Sequence, residues 1–183
     1  SDYVDAFIGE TETEKPSTEN QTATNENVEL PDLANTSTEG QVATKKREKY
    51  KGFDVLGTIE IPATSVKYPV LDKTTKKSLD TAVSALYPES AELNTSGNVV
   101  IVGHNYRNGT FFSNNKKLKN GDKIYITDLY GKRITYVIYN IFEANQNDTS
   151  FYNRDTNGAK EITLSTCTDA SNDMRLIIEA KEQ

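Results

Sequence analysis

The chain of 183 residues holds one cysteine and one histidine, and both follow short apolar runs. Thr163-Leu164-Ser165-Thr166-Cys167 is a β-type run that ends at a thiol and gives way at once to a polar loop. Val100-Ile101-Val102-Gly103-His104 has the same form, a buried-strand pattern that ends at glycine and then imidazole. Met174-Arg175-Leu176-Ile177-Ile178 opens a third such run with a cation, and seven residues separate Cys167 from Arg175. Strand ends on a rigid scaffold are where a reactive group can be held still and yet reach a substrate. A hairpin through the intervening loop would bring Cys167 and Arg175 together.

These three types suit nucleophilic acyl transfer. A free thiol, with a pKa of about 8.5, is only a few per cent ionised at neutral pH and gains from a neighbouring imidazole. That imidazole can also protonate a leaving amine, which thiolate attack on an amide requires. A guanidinium stays charged and can face the oxyanion of the tetrahedral intermediate. Each residue alone has a blander reading: a lone cysteine as a small buried hydrophobe, a histidine as a turn residue, an arginine as an exposed strand-end charge. Only their joint placement favours catalysis.

Those residues must be positioned by a β-rich body. Gly57-Thr58-Ile59-Glu60-Ile61-Pro62 alternates and stops at proline, and Val66 to Leu71 reads as a second strand. Thr75 to Leu86 carries Leu79, Val83 and Leu86 at helical spacing and is expected to be a helix. Asn98 to Val102 is a short buried strand. Thr110 to Leu118 is expected to make a helical turn with Phe111, Phe112 and Leu118 inward. Lys123 to Thr127 and Lys132 to Ala144 form the clearest hairpin, around Asp128-Leu129-Tyr130-Gly131. A polar loop over 145–158 holds Phe151 and Tyr152, and Glu161 to Thr166 and Met174 to Ala180 are the last strands. About eight short strands with small helices point to a mainly β fold, a closed or nearly closed barrel.

Charge divides the chain in two. Residues 1–50 carry eleven acidic and five basic side chains, whereas 51–183 carry equal numbers of each, within a total of -6. The first segment, poor in apolar groups and lacking aromatics between Phe7 and Tyr50, reads as a flexible acidic linker or stalk. Residues 51–183 read as the folded domain. Tyr3 to Ile8 is more apolar and is expected either to dock or to be the stump of a membrane-proximal segment. Lys45-Lys46-Arg47 marks a solvated boundary or a contact with an anionic surface. The domain has no net basic charge, so nucleic acid is not an expected partner. One cysteine excludes an internal disulfide and a cysteine-rich zinc site. The longest apolar run, Asn98 to Gly103, is far too short to cross a bilayer.

Taken together, these motifs resemble the sortase family. Thr163 to Cys167 is similar to its T-L-x-T-C signature, Met174 to Ile178 to the arginine strand that follows, and Asn98 to His104 to its N-x-V-I-x-G-H pattern. Phe111-Phe112, Lys117-Leu118, Gly121-Asp122 and Gly57 to Pro62 also agree, so the resemblance covers roughly residues 52–182 in order and spacing.

The resemblance implies an eight-stranded sortase-type β-barrel. It implies a cysteine transpeptidase with Cys167 as nucleophile, His104 as proton-transfer partner and Arg175 as cationic stabiliser, the thiol and imidazole resting mostly neutral. The substrate would be a surface protein bearing an L-P-x-T-G-like sorting signal, cut between Thr and Gly through a thioacyl intermediate. An amine from a peptidoglycan precursor or a pilin lysine would accept it. The setting would be the outer face of a Gram-positive cell, with a membrane anchor absent from residues 1–183. Asn105, Thr166, Phe151 and Tyr152 are the candidate substrate-binding residues, with anchoring of the loop as core the alternative for the two aromatics. Some members bind calcium in the loop before the cysteine strand; Glu143, Asp148 and Asp155 are the carboxylates there, with plain solvation as the alternative. No other cofactor is expected.

The subclass stays open. Ser165 before Thr166-Cys167 resembles class B, the compact barrel resembles class D or A, and Asp5-Ala6-Phe7 lacks the proline of a pilin-type lid. Two rival functions also stand: another cysteine enzyme, such as an L,D-transpeptidase or thiol peptidase, and a non-enzymatic β-rich surface binding module on a stalk.

Overall fold

The structure, a computed structural model, describes residues 43–183. The expected stalk over 1–42, with the docking and lid segments near its start, lies outside the described residues. Residues 43–50, assigned to the stalk on composition, run along the folded body. The Lys46 amide donates to the Leu129 carbonyl at 2.8 Å, Lys45 pairs with Glu92 at 2.9 Å, and β1 (Lys49–Tyr50) pairs with the start of β2 (Phe53–Ile61).

From there the order is β3 (Val66–Leu71), a short helix α1 (Lys76–Leu79), β4 (Val83–Tyr87), β5 (Gly97–Val102), β6 (Lys123–Asp128), β7 (Arg133–Asn145), β8 (Lys160–Cys167) and β9 (Met174–Glu182). Strands β2 to β9 follow one another around the sheet as 2-3-4-5-8-9-7-6, and β6 returns to β2, closing an eight-stranded barrel. Most neighbours are antiparallel. β5 and β8 are parallel, with Val99 opposite Ile162 and Val102 opposite Ser165.

Alternation builds the core. β2 buries Val55, Gly57, Ile59 and Ile61 while the residues between them face outward. Ile101 of β5, Ile124 and Ile126 of β6, Ile138 of β7, Ile162 and Leu164 of β8 and Ile178 of β9 meet Ile59 and Ile61 in one interior cluster, while Val55 joins a smaller one with Tyr50, Leu71 and Ala82. Phe112 closes it, fully buried, so truncation to alanine would cost on the order of 3–5 kcal/mol. Gly57 sits where β2 and β6 come closest: φ is +151°, and a Cβ there would stand 2.1 Å from the Thr127 carbonyl oxygen.

The hairpin expected around Asp128 is present, its carboxylate accepting the amides of Tyr130 and Lys132. The helix expected over 75–86 is not. A capping box between Thr75 and Ser78 starts α1, which ends after one turn. Val83 then enters a strand, because Val83 and Ser84 find partners in Val70 and Leu71 of β3, and Ser84 also faces Val102 of β5. Sheet pairing overrides the helical spacing. Between residues 110 and 118 a single 3-10 turn, Asn115–Lys117, leaves Phe112 and Leu118 buried and Phe111 half-buried.

Candidate active site

The three strands β5, β8 and β9 lie side by side, and their registers arrange the outward-facing residues in rows. The pair Val102–Ser165 continues on the other side as Ser165–Ile177. Two positions further along, Cys167 pairs with Arg175; His104 lies two residues past Val102, just beyond the end of β5, where the Gly103 amide still donates to the Ser165 carbonyl at 3.2 Å. Side chains two apart on a strand share a face, and neighbouring strands lie about 4.8 Å apart. His104, Cys167 and Arg175 thus form the rim row at one end of the barrel.

That row opens on a cleft of about 270 Å³, lined by all three residues. The second row, Val102, Ser165 and Ile177, supplies its floor, and Thr74, Leu79 and Leu86 line it as well. Asn145, Gln146, Asp148, Phe151 and Tyr152 from the loop between β7 and β8 complete it.

Cys167 is a free, half-buried thiol. Arg175 Nη1 lies 3.2 Å from its sulfur. The guanidinium is aimed by the Asn172 carbonyl, which accepts Nη1 at 2.5 Å, and by Gln146 Oε1, 3.5 Å from Nη2. Gln146 is in turn fixed through its backbone N–H, which donates to the Asp173 carbonyl at 2.8 Å.

His104 is held differently. Its ring stacks on Tyr106, centroids 4.7 Å apart, and Tyr106 meets Phe111 edge-on at 5.8 Å. Its Nε2 is shut off from solvent 3.2 Å from Asp80 Oδ1, but the carboxylate lies off the hydrogen-bonding direction, so the two are close without a hydrogen bond. The Tyr106 hydroxyl donates to the same oxygen at 3.0 Å. Burial first, then that bond, pushes the Tyr106 phenol up. Gly103 precedes the imidazole because a Cβ would stand 2.7 Å from the Phe112 ring and 2.9 Å from Val83 Cγ1.

The remaining candidates separate. Thr166 lines the cleft, but its hydroxyl donates to the Gly103 carbonyl at 2.7 Å, tying the strand end before Cys167 to the one before His104. Asn105 does not line the cleft: its amide donates to the Cys167 carbonyl at 2.9 Å and to Asp169 Oδ1 at 2.8 Å. It braces the turn after the thiol, where sequence reasoning expected a substrate contact. Asp169 also accepts Lys116, and Arg107 Nε donates to the Asp169 carbonyl at 3.0 Å. The Lys116 bond, then that of Asn105, holds the Asp169 carboxyl below the usual carboxylate range.

Phe151 and Tyr152 both line the cleft and contact each other edge to face at 5.1 Å, with Phe142 and Tyr87 behind them. Burial pushes the Tyr152 phenol up, against the opposing pull of Arg175. The calcium candidates Glu143, Asp148 and Asp155 are exposed, and no group of three His, Cys, Asp or Glu side chains suited to a metal exists among the described residues. Asp148 accepts the Ser150 amide and hydroxyl, and Asp155 the Asn157 amide, so these two carboxylates act as turn caps.

Sequence reasoning missed Asp80, Tyr106 and Gln146. It also missed a polar group under the loop between β7 and β8: buried Glu161, Thr163 and Glu179, half-buried Arg154 and exposed Tyr139. Its one visible signal is that Glu161 and Glu179 adjoin apolar residues within strands, at Ile162 and at Leu176-Ile177-Ile178.

Comparison with known proteins gives the family. The Sortase domain family model matches residues 59–183. The chain is 29% identical over 154 residues to Sortase A of Bacillus anthracis, which spans 84% of this chain and 67% of that protein. Among solved structures it resembles a lid mutant of Sortase A from Corynebacterium diphtheriae (31% identity, TM-score 0.63, 70% of each chain). It also resembles sortase C from Clostridium perfringens with the C-terminal cell wall sorting motif (28% identity, TM-score 0.61, 71% of each chain). The chain belongs to the sortase family of cysteine transpeptidases. Relatives of several sortase classes share the fold, and the family context is the Gram-positive cell surface. No helix among the described residues is long and apolar enough to cross a membrane.

Proposed function

We propose that this sortase cleaves an L-P-x-T-G-like sorting signal between Thr and Gly and transfers the threonyl end to an amine. The observation that carries the reading is the rim row, with Cys167, His104 and Arg175 around one cleft. The Cys167 sulfur, having given its proton to His104, attacks the threonine carbonyl carbon. Negative charge collects on the carbonyl oxygen, and Arg175, beside the sulfur, faces it. The C–N bond breaks, the glycine amine leaves with the proton from His104, and a thioester remains on Cys167. An incoming amine attacks that thioester, gives its proton to His104, and the C–S bond breaks.

Phe151 and Tyr152, with exposed Leu86 opposite, offer apolar contacts suited to the leucine and proline of such a signal. The acceptor would be a peptidoglycan-precursor amine or a pilin lysine. By composition, residues 1–42 suit a stalk that sets the catalytic domain, against which residues 43–50 run, away from a membrane anchor on the outer face of the cell.

Intact mass measurement tests this. Incubation with an L-P-x-T-G peptide should add the L-P-x-T acyl mass to Cys167, and an added amine should discharge it. No adduct from a protein whose thiol still reacts with a methanethiosulfonate reagent would refute the substrate assignment.

A further inference from the structure

Beyond the rim and floor, the outer faces of β5, β8 and β9 continue as a third row, Val100–Thr163–Glu179, and a fourth, Asn98–Glu161–Lys181. Outer barrel faces ordinarily meet solvent, yet Asn98, Glu161, Thr163 and Glu179 are all buried. The loop between β7 and β8 covers them, and Arg154 is its anchor. Nη1 donates to the Thr163 hydroxyl at 2.7 Å and to the Phe151 carbonyl at 3.2 Å. Nε and Nη2 lie 3.2 and 3.1 Å from Glu161 Oε1, and Nε is 3.3 Å from Glu179 Oε2. The Thr163 hydroxyl donates to Asn98 Oδ1 at 2.9 Å, and Asn98 Nδ2 donates to the Tyr152 carbonyl at 3.0 Å. Tyr139 bends over the group, its hydroxyl 2.5 Å from Glu161 and 2.9 Å from Glu179. Burial first, then these bonds, pushes that phenol well up, so it stays protonated as a donor.

The carbonyls of the two aromatic cleft residues are therefore pinned by one network, Phe151 by Arg154 and Tyr152 by Asn98. Tyr152 is also the wall between the catalytic cleft and a second cleft of about 250 Å³, which Asn98 and Arg154 line. Two carboxylates face the single guanidinium, which suits a planar fork with several donors and not a point charge.

We propose that Arg154, clamped by Glu161, Glu179 and Thr163, is a positioning residue that sets substrate affinity by fixing Phe151 and Tyr152 in the cleft, apart from the thiol chemistry on the rim. This rests on the proposed substrate reading for its kinetic consequence, though not for the clamp itself.

Two readouts on Arg154→Lys and the milder Asn98→Ala decide it. Hydrogen exchange over 145–159, measured without substrate, should quicken at least about tenfold in both variants while β8 and β9 keep their protection. With an L-P-x-T-G peptide and amine, KM should rise about tenfold in Arg154→Lys and less in Asn98→Ala. The kcat should stay within about twofold, and the rate of Cys167 modification should be unchanged. Unaltered loop exchange in both variants overturns the clamp. Quickened exchange with an unaltered KM, or a loss confined to kcat, overturns its role in affinity. If the wild-type enzyme ignores the peptide, the substrate reading falls, and exchange still decides the clamp.

Discussion

Arg175 Nη1 rests 3.2 Å from the sulfur of Cys167, directly across the last register pair of β8 and β9. The guanidinium is held by the Asn172 carbonyl and by Gln146 Oε1, and among the described residues it pairs with no carboxylate, which would leave its charge for the proposed reaction. Arg175→Lys keeps the charge but loses the fork that meets sulfur and carbonyl together. The expected result is a loss of about 100-fold or more in kcat/KM for sorting-peptide transfer, near the 3 kcal/mol typical of an oxyanion donor, with an unchanged melting temperature. Cys167→Ala and His104→Ala should abolish transfer. Retention of wild-type turnover in any of the three would remove that residue from the mechanism.

Asp80 and Tyr106 are expected to orient the imidazole. The Asp80–His104 contact is half-exposed and poorly aligned, so its energy is small, at most about 1 kcal/mol. Asp80→Asn should lower kcat by up to about fivefold with little change in KM, and Asp80→Glu should recover part of it. Tyr106→Phe, which keeps the stacked ring, should cost less than Tyr106→Ala. Steady-state kinetics on the four variants separates ring stacking from charge.

The turn after Cys167 should be insensitive to mild acid. Asp169 titrates low because of Lys116 and then Asn105, so the clasp it makes is fully present above the ordinary aspartate value of about 3.9 and is lost only as pH falls through the lowered one. Lys116→Met should bring the Asp169 titration back up toward that ordinary value, read from side-chain carboxyl NMR shifts. An identical titration in the variant would assign the effect to Asn105 alone.

Tyr136 gives stability an alkaline limit. Its ring is fully buried, its hydroxyl donates to Asn94 at 3.0 Å, and burial raises its phenol far above the usual value. The folded state thus gains from the neutral phenol at neutral pH, and that gain erodes as pH climbs past about 10, where the unfolded tyrosine ionises. Tyr136→Phe should cost about 1 kcal/mol at pH 7 and flatten the decline between pH 9 and 11. Urea midpoints at the three pH values check both signs.

Much of this was legible in the sequence because strand ends are marked by chemistry. Gly103-His104, Thr166-Cys167 and Asp173-Met174-Arg175 each sit where an apolar run meets polar residues, so the rim row could be anticipated from spacing. Residues 83–86 could not be read correctly: Val83 and Leu86 fit a helical period, and only the neighbours Val70 and Val102 decide for a strand. Asn105 adjoins the imidazole, but which way its amide turns depends on Asp169 and the Cys167 carbonyl, distant in sequence. The Arg154 network was hidden for the same reason. Its charges come from a loop and two strands, and in one dimension they look like solvated surface.

Parallel pairing of β5 and β8 carries a further meaning. The pairing of β5 with β8 runs to the strand ends that carry His104 and Cys167, so the segments on either side of β6 and β7 are expected to be exchangeable without moving the proposed reacting groups. Such a barrel behaves as a chassis with interchangeable recognition parts. A transplanted 145–159 segment would be accepted where it brings an arginine to meet the two glutamates waiting on the wall, and would hang loose where it does not.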